Sequence, residues 1–265
     1  MSHEGPPDPV RQFSSSICTG VYCVRLLGVK GINKNVYRLL ACFIFLLAGV
    51  DAPAASITNG SFETTSTAVP PGGFNLYSPG QVGLTGWNIV GGPGTDVAVV
   101  SGTYTSSGIS FPAEDGSNWL DLTGLVSNSS EGVAQNVATN TDDSYTLTFY
   151  VGNVDSPGTG FGVTSTVDLS ANGASLGAFT NNCTSCTTTQ AWQLFTATFT
   201  ATSASTTLQF LNGDPSNDNS NGLDNVSLVD NGPTAATPEP SSTVLLGSGL
   251  LGLGGWLLRR KTTAD

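Results

Sequence analysis

Short runs of alternating apolar and polar residues constrain the fold of this chain more than any other feature. In "SYTLTFYVGN", Tyr145, Leu147, Phe149 and Val151 alternate with threonine and tyrosine. A period of two is typical of a strand that buries one face. Similar runs recur along residues 55–231 between turns rich in Gly, Asn, Pro and Asp, and none has a helical period. We therefore expect an all-β sandwich.

One hairpin can be assigned from its turn. Asn172 and Gly173 separate the strand-like runs "VTSTVDLSA" and "ASLGAF". This residue pair is favoured in the tight turns that join antiparallel strands. The sequence therefore predicts that the two runs pair with each other.

The region 55–238 contains no Lys, Arg or His. The basic residues all lie outside it: His3, Arg11, Arg25, Lys30, Lys34, Arg38, Arg259, Arg260 and Lys261. A strongly acidic domain should repel nucleic acid and anionic polysaccharide, so no nucleic-acid partner is expected. Carboxylates that the fold brings together need a bound cation or a raised pKa, because no salt bridge can form.

The same composition argues against catalysis. A Ser-His-Asp or Cys-His arrangement cannot form without histidine. Carboxylate chemistry remains, but the adjacent pairs Glu114-Asp115 and Asp142-Asp143 would point to opposite faces of a strand. We therefore expect a protein that is not an enzyme.

The C-terminal stretch has the layout of a membrane stop. An apolar run from Val244 to Leu258 would span about 22 Å as a helix, against about 30 Å for a bilayer core. Arg259, Arg260 and Lys261 follow it and should stay on the cytoplasmic side. Residues 243–265 are thus predicted to be a transmembrane tail.

The tail resembles a known sorting signal. Pro238-Glu239-Pro240 in the linker 232–242, the Leu/Gly span and the basic end are similar to the PEP-CTERM signal of Gram-negative bacteria. The resemblance implies an exosortase-type processing protease as partner, and an inner-membrane intermediate held by the tail. It also implies release to the cell surface or the exopolysaccharide matrix.

The N-terminal region reads as a secretory leader over residues 1–54. An apolar h-region at 39–50 follows three cations, and an A-x-A pattern ends at Ala54. This order is typical of a signal peptide cleaved after Ala54. An uncleaved N-terminal anchor helix is the alternative.

Cys183 and Cys186 lie in "NNCTSCTTT". A zinc site would lack two further soft ligands, and the Thr/Ser-rich surroundings do not suit a thioredoxin-like helix. An exported protein favours a disulfide instead. We therefore expect these two residues to form a small loop-closing disulfide.

Several fragments in order resemble the galactose-binding-like jelly roll. They include "NGSFE" at 59–63, "GSNWLDLTG" at 116–124 and "GLDNVSLVD" at 222–230. Carbohydrate-binding modules and the choice-of-anchor domains of PEP-CTERM proteins share this pattern. The resemblance implies a jelly-roll β-sandwich over residues 55–231, with eight or more antiparallel strands in two sheets.

The same resemblance implies a possible structural Ca²⁺ held by Glu63 and Asp224, whose counterparts lie near each other in such modules. Calcium prefers carboxylate and carbonyl oxygens. The alternative is that Glu63 faces solvent and Asp224 only shapes a turn. A second acidic loop, Asp214 to Asn221, has the composition of a calcium loop but lacks the glycine and final glutamate of an EF-hand.

Aromatic residues offer a possible sugar site. Trp119 and Trp192 lie in strand patterns and are assigned to the core, whereas Trp87 and Tyr104 lie near Gly-rich loops and are the ligand-binding candidates. Two functions remain open. One is a non-catalytic adhesive or structural role in the matrix, and the other is binding of a neutral exopolysaccharide.

Overall fold

The computed structural model describes residues 15–19, 22–26, 55–125, 131–215 and 218–234. The predicted h-region at 39–50, the motif at 238–240 and the tail at 243–265 lie outside the described residues. The described part of the chain contains no helix long and apolar enough to cross a membrane.

The chain divides into two compact units, Met1–Ala52 and Pro53–Asp265. In the first unit, β1 (Ser15–Thr19) pairs antiparallel with β2 (Tyr22–Leu26). This hairpin lies inside the predicted leader, where no strand was predicted.

The described part of the second unit contains thirteen strands. They are β3 (Phe74–Tyr77), β4 (Asn88–Val90), β5 (Val97–Ser101), β6 (Tyr104–Ser106), β7 (Ile109–Phe111), β8 (Asn118–Asp121), β9 (Gly132–Ala138), β10 (Asp143–Asn153), β11 (Ser165–Ala171), β12 (Ala174–Asn181), β13 (Ala191–Thr200), β14 (Ser205–Asn212) and β15 (Gly222–Pro233).

These strands form a jelly-roll β-sandwich, as predicted. The six-stranded sheet has the order β13-β10-β15-β8-β5-β3, and the five-stranded sheet has the order β12-β11-β14-β9-β4. β6 and β7 pair as a separate hairpin. Every pair of strands in the two large sheets is antiparallel.

The main core lies between the two large sheets. Tyr145, Leu147, Phe149 and Val151 on β10 are fully buried, which confirms the predicted inward face. The ring of Phe149 meets that of Phe210 on the facing sheet edge-on, with centroids 5.4 Å apart. Burying a large apolar side chain stabilises the fold by about 1.5–3 kcal/mol, so this face fixes the register of β10.

The predicted hairpin is formed by β11 and β12. Ala171 pairs with Ala174 across the turn. Asn172 has a φ of 49° and Gly173 has a φ of 79°. Two successive positive φ values match the twist of a two-residue hairpin, which is why this pair of residues occurs here.

A second, smaller core lies on the outer face of the six-stranded sheet. All five residues of β5 are buried, because Val97 and Val99 face the main core while Ala98 and Val100 face outward. We call the outward group the outer cluster: Ala98, Val100, Ile109, Phe111, Trp119 and Val154. The β6–β7 hairpin supplies two of its members and so covers this part of the sheet.

Candidate functional site

A cavity of about 230 Å³ lies in the outer cluster. We call it the outer pocket. Its lining residues come from the sheet, from the β6–β7 hairpin and from three loops: Phe74, Ala98, Val100, Tyr104, Phe111, Trp119, Asp121, Gly124, Leu125, Phe161, Asn219 and Ser220. The pocket exists because a sheet face that normally meets solvent is covered here by a short hairpin.

Two tryptophans attach the hairpin to the sheet. The indole N–H of Trp119 donates to the carbonyl oxygen of Phe111 at 3.1 Å. The indole N–H of Trp192 donates to the carbonyl oxygen of Pro112 at 2.9 Å. The end of β7 is therefore held by side chains from β8 and β13.

Aromatic rings form the walls of the outer pocket. Phe111 stacks on Trp119 with centroids 6.2 Å apart and meets Phe161 edge-on at 5.1 Å. Tyr104 lies 5.6 Å from Phe111 and meets Phe74 edge-on at 5.8 Å. The predicted ligand-binding residue Tyr104 therefore lines a real cavity, with its ring half-buried.

Asp121 provides the carboxyl group of the pocket. Its three hydrogen bonds all go to Oδ1, from the N–H of Thr123 at 3.0 Å, the hydroxyl of Thr123 at 2.7 Å and the N–H of Asn221 at 3.2 Å. Burial raises the pKa of Asp121 to about 7. A carboxyl group with such a pKa can accept or donate a hydrogen bond near neutral pH.

Glu63 and Asp224 hold the same loop, residues 112–118. Oε1 of Glu63 accepts the N–H groups of Ser117 and Asn118, both at 2.7 Å, and its Oε2 accepts Nδ2 of Asn118 at 3.0 Å. Glu63 is exposed to solvent, and its carboxylate is also tied to the backbone of this loop.

Asp224 holds the start of that loop in the same way. Its Oδ2 accepts the N–H groups of Glu114 at 2.9 Å and Asp115 at 3.0 Å, and its Oδ1 accepts the N–H of Asn225 at 2.7 Å. Burial raises the pKa of Asp224 to about 7. All four carboxylate oxygens of Glu63 and Asp224 thus already accept hydrogen bonds, and calcium at this pair stays a prediction.

Four side chains of the acidic loop are buried, which the sequence did not predict: Asp214, Asp218, Ser220 and Asn221. Burial, followed by the charge of Asp218, raises the pKa of Asp214 to about 9. Burial raises the pKa of Asp218 to about 6. Within the described residues, no set of three or more His, Cys, Asp and Glu side chains is arranged to hold a metal ion.

The sequence comparisons identify the sandwich and the tail separately. Residues 53–229 match the HpiC1-like family, described as HpiC1 cyclase. The chain belongs to the HpiC1-like family. Residues 236–261 match the PEP-CTERM protein-sorting motif, which confirms the predicted signal at 238–240 and its basic end. No curated protein matches the chain.

Solved structures give remote likenesses to the HpiC1-like domain. The Stig cyclase FisC from Fischerella sp. TAU is 21% identical, with a TM-score of 0.47, over 68% of this chain and 99% of that one. A family 35 carbohydrate-binding module from Clostridium thermocellum is 13% identical, with a TM-score of 0.35, over 58% and 96% of the two chains.

The predicted disulfide in the HpiC1-like domain is not formed in the structure. Cys183 and Cys186 are both free thiols. Sγ of Cys186 donates to the carbonyl oxygen of Cys183 at 3.0 Å. The disulfide between Cys183 and Cys186 in the exported protein stays a prediction.

Trp87 lies inside the main core of the HpiC1-like domain, where its side chain is 4% exposed. Its ring is 5.4 Å from that of Phe62 and 6.0 Å from that of Phe210. Its indole N–H donates to the carbonyl oxygen of Asn59 at 2.9 Å. The ring therefore has no free face for a sugar, and of the two binding candidates only Tyr104 lines the outer pocket.

Sequence reasoning missed Asp121. The signal was present in "NWLDL", because residues two apart on a strand share a face and so Asp121 lies on the side of Trp119. What the pattern lacked was any sign that the β6–β7 hairpin would cover that face.

Proposed function

We propose that this chain is an exported surface protein whose HpiC1-like domain binds one sugar unit of a neutral exopolysaccharide in the outer pocket. The observation that carries the proposal is a cavity of about 230 Å³ with aromatic walls and the carboxyl group of Asp121 at its lining. Small-molecule sites combine apolar walls with a few placed polar groups in this way.

The charge of the domain favours a neutral glycan over an acidic one. Residues 55–238 carry carboxylates and no basic side chain. An anionic polysaccharide would meet repulsion from the whole surface. A neutral sugar can instead use the hydroxyl of Tyr104 and the carboxyl group of Asp121 as hydrogen-bonding partners.

The sorting motif supplies the destination. The match at residues 236–261 supports passage through the inner membrane and processing by an exosortase-type protease. We infer release to the cell surface or extracellular matrix of a Gram-negative bacterium, where glycan binding would serve adhesion without catalysis.

Titration calorimetry of the exported chain against neutral and uronic-acid-rich exopolysaccharides tests the binding. We expect heat only with the neutral polymers, and at least a tenfold loss of affinity in Tyr104→Ala. Tyr150→Ala is the matched control, because Tyr150 lies on β10 and does not line the outer pocket. Equal binding by both variants would contradict the proposal.

Fractionation of cells tests the destination. A tagged chain without Pro238-Glu239-Pro240 should stay with the inner membrane, whereas the intact chain reaches the surface fraction. Recovery of both chains in the same fraction would exclude processing at this motif.

An acid-catalysed cyclisation is the second candidate function. It is favoured by the family match and by the pKa of Asp121, which burial raises to about 7. A carboxyl group of that pKa can protonate a bound substrate at neutral pH and take a proton back from another atom. The product would be an isomer of unchanged mass.

Incubation of wild-type and Asp121→Asn protein with a culture extract separates the two candidates. A compound that wild type converts to an isomer, and that Asp121→Asn leaves unchanged, would establish catalysis. Glycan binding without any such conversion favours the adhesive function.

A further inference from the structure

The loop between β12 and β13 carries two thiols of unequal exposure. Cys183 is half-buried, whereas the side chain of Cys186 is 6% exposed. The turn between them is tight, since Sγ of Cys186 donates to the carbonyl oxygen of Cys183 at 3.0 Å. An accessible thiol beside a buried one suits a reaction in which the first attacks an external disulfide and the second completes the exchange.

The accessible thiol is also the one that ionises more easily. Burial opposes ionisation of Cys183, but hydrogen bonds from Cys186 and Ser185 lower its pKa overall. Burial, followed by the neighbouring Cys183, raises the pKa of Cys186 to about 12. Because the thiolate is the attacking form, Cys183 is expected to react first while Cys186 is still protonated.

The base of the loop is fixed by Asn181, whose side chain is 3% exposed. Its Nδ2 donates to the carbonyl oxygens of Val151 at 2.8 Å and Ala191 at 2.9 Å. Its Oδ1 accepts the N–H of Cys183 at 3.2 Å. The backbone of Cys183 is therefore held against the sheet, so a change at the thiols acts mainly on the residues that follow the pair.

The residues after the second cysteine hold β7. The N–H of Ser110 donates to the carbonyl oxygen of Thr188 at 3.0 Å, and the N–H of Gln190 donates to the carbonyl oxygen of Ser110 at 2.9 Å. Nε2 of Gln190 also donates to the carbonyl oxygen of Pro112 at 3.3 Å. Phe111 lies between these two attachment points and lines the outer pocket, so the loop holds one wall of that pocket.

The backbone of Cys186 holds a second wall. Its carbonyl oxygen accepts the N–H of Asp155 at 3.1 Å. Asp155 lies in the loop after β10 that also carries Phe161, another residue of the pocket lining. Both walls are thus attached to the chain within a few residues of the buried thiol.

We propose that Cys183 and Cys186 form a site of reversible thiol–disulfide exchange, and that the redox state of this pair controls how firmly the two walls of the outer pocket are held. The reacting partner is an external disulfide bond. The proposal does not rest on the proposed glycan function, because it concerns the thiols and the backbone of the walls and not the ligand.

The exchange takes place in two steps. The thiolate of Cys183 attacks one sulfur of the external disulfide, forms a mixed disulfide and releases the other sulfur as a thiolate. Cys186 loses its proton to water, attacks the sulfur of Cys183 and releases the second external thiolate. The two cysteines are thereby oxidised by two electrons, and the external disulfide is reduced to two thiols.

Oxidation should attach the walls more firmly. A bond between the two sulfurs closes the turn from Cys183 to Cys186 and restricts the conformations that the loop adopts when it opens. Opening of the loop is the motion that separates Thr188 and Gln190 from β7, so it should become rarer. Reduction by an external dithiol should restore the looser state.

Trapping of the mixed disulfide in the full chain tests the exchange. Cys186→Ser with glutathione disulfide should accumulate a glutathione adduct on Cys183, because the second thiol is missing. Wild type should instead form the internal disulfide, and Cys183→Ser should react about tenfold more slowly because its remaining thiol is buried. Mass spectrometry after cleavage at aspartate gives the products, since Asp168 and Asp214 flank one peptide with both cysteines.

Two outcomes of this experiment would overturn the exchange. One is an adduct that accumulates in wild type as it does in Cys186→Ser. The other is equal reaction of Cys183→Ser and Cys186→Ser with glutathione disulfide.

Hydrogen exchange tests the control of the walls. In oxidised wild type, the N–H groups of Ser110 and Gln190 should exchange about three- to tenfold more slowly than in the reduced chain, because the loop opens less often. Cys183→Ser/Cys186→Ser should exchange alike under both conditions. The N–H groups of β14, in the other large sheet, are the internal reference. Unchanged exchange at Ser110 and Gln190 on oxidation of wild type would overturn the control of the pocket.

Discussion

The backbone N–H of Asn221 donates to Oδ1 of Asp121 at 3.2 Å, across 100 residues of chain. This bond joins the carboxyl group of the outer pocket to residues 218–221, directly before β15. Burial raises the pKa of Asp121, the hydrogen bonds from Thr123 and Asn221 oppose this rise, and the charge of Asp218 adds a smaller upward effect. The protonation of Asp121 in the pocket is therefore coupled to the charge of Asp218.

Ionisation of Asp121 should lower the stability of the chain as pH rises from about 4 to about 7, and ionisation of Asp214 should extend the fall to about pH 9. Burial raises the pKa of Asp121 to about 7 in the folded chain, from 3.8, so the folded state holds more protons than the unfolded state in this window. Urea unfolding at a series of pH values measures the slope.

Asp121→Asn should make that slope shallower, because the side chain no longer titrates. Asp142→Asn is the matched control, since Asp142 is exposed on a turn. An identical slope in wild type and Asp121→Asn would show that the Asp121 carboxyl group is not the group that titrates.

Trp87→Ala should lower the free energy of unfolding by about 3–5 kcal/mol, because it leaves a cavity between Phe62 and Phe210. Val82→Ala, at a side chain that is 97% exposed, should change it by less than about 0.5 kcal/mol. Denaturant titration compares the two. Full stability of Trp87→Ala together with lost glycan binding would instead place Trp87 in a binding site.

Gly173→Ala should destabilise the chain by about 1 kcal/mol, although a Cβ there would meet open space. The cost comes from its φ of 79°, a conformation that L-residues adopt poorly. A Cβ at Gly92 would also meet open space, and Gly92 does not have a positive φ. Gly92→Ala should therefore leave the stability nearly unchanged. If Gly173→Ala and Gly92→Ala lowered the thermal unfolding midpoint equally, the positive φ of Gly173 would not be the cause of the destabilisation.

Under reducing conditions Cys183 should be alkylated before Cys186. Burial and the neighbouring Cys183 raise the pKa of Cys186 to about 12. Burial opposes ionisation of Cys183, but hydrogen bonds from Cys186 and Ser185 lower its pKa overall. Peptide mass spectrometry after timed iodoacetamide treatment gives the order, and faster labelling of Cys186 would contradict it.

The strands were predictable because a strand with one buried face alternates apolar and polar residues in the sequence. β10 follows the pattern over its whole predicted length, and the turn at Asn172 and Gly173 needed only local chemistry. These features depend on residues close together in the chain.

The outer pocket was not predictable because it depends on distant segments. Asp121 is buried only because the β6–β7 hairpin and Asn221 come to lie beside it. Trp87 follows Gly86 and was therefore expected to be accessible. The positive φ of Gly86 instead lets the chain turn and place the indole in the core.

β5 has apolar contacts on both of its faces, so its residues serve the main core and the floor of the pocket together. Substitutions on β5 that change the shape of the outer pocket would therefore also disturb the packing of the main core. Tyr104 and Phe161 line the same pocket but pack only against the outer cluster. We expect related chains to differ in the shape of this pocket at such positions, because substitutions there leave the packing between the two large sheets unchanged.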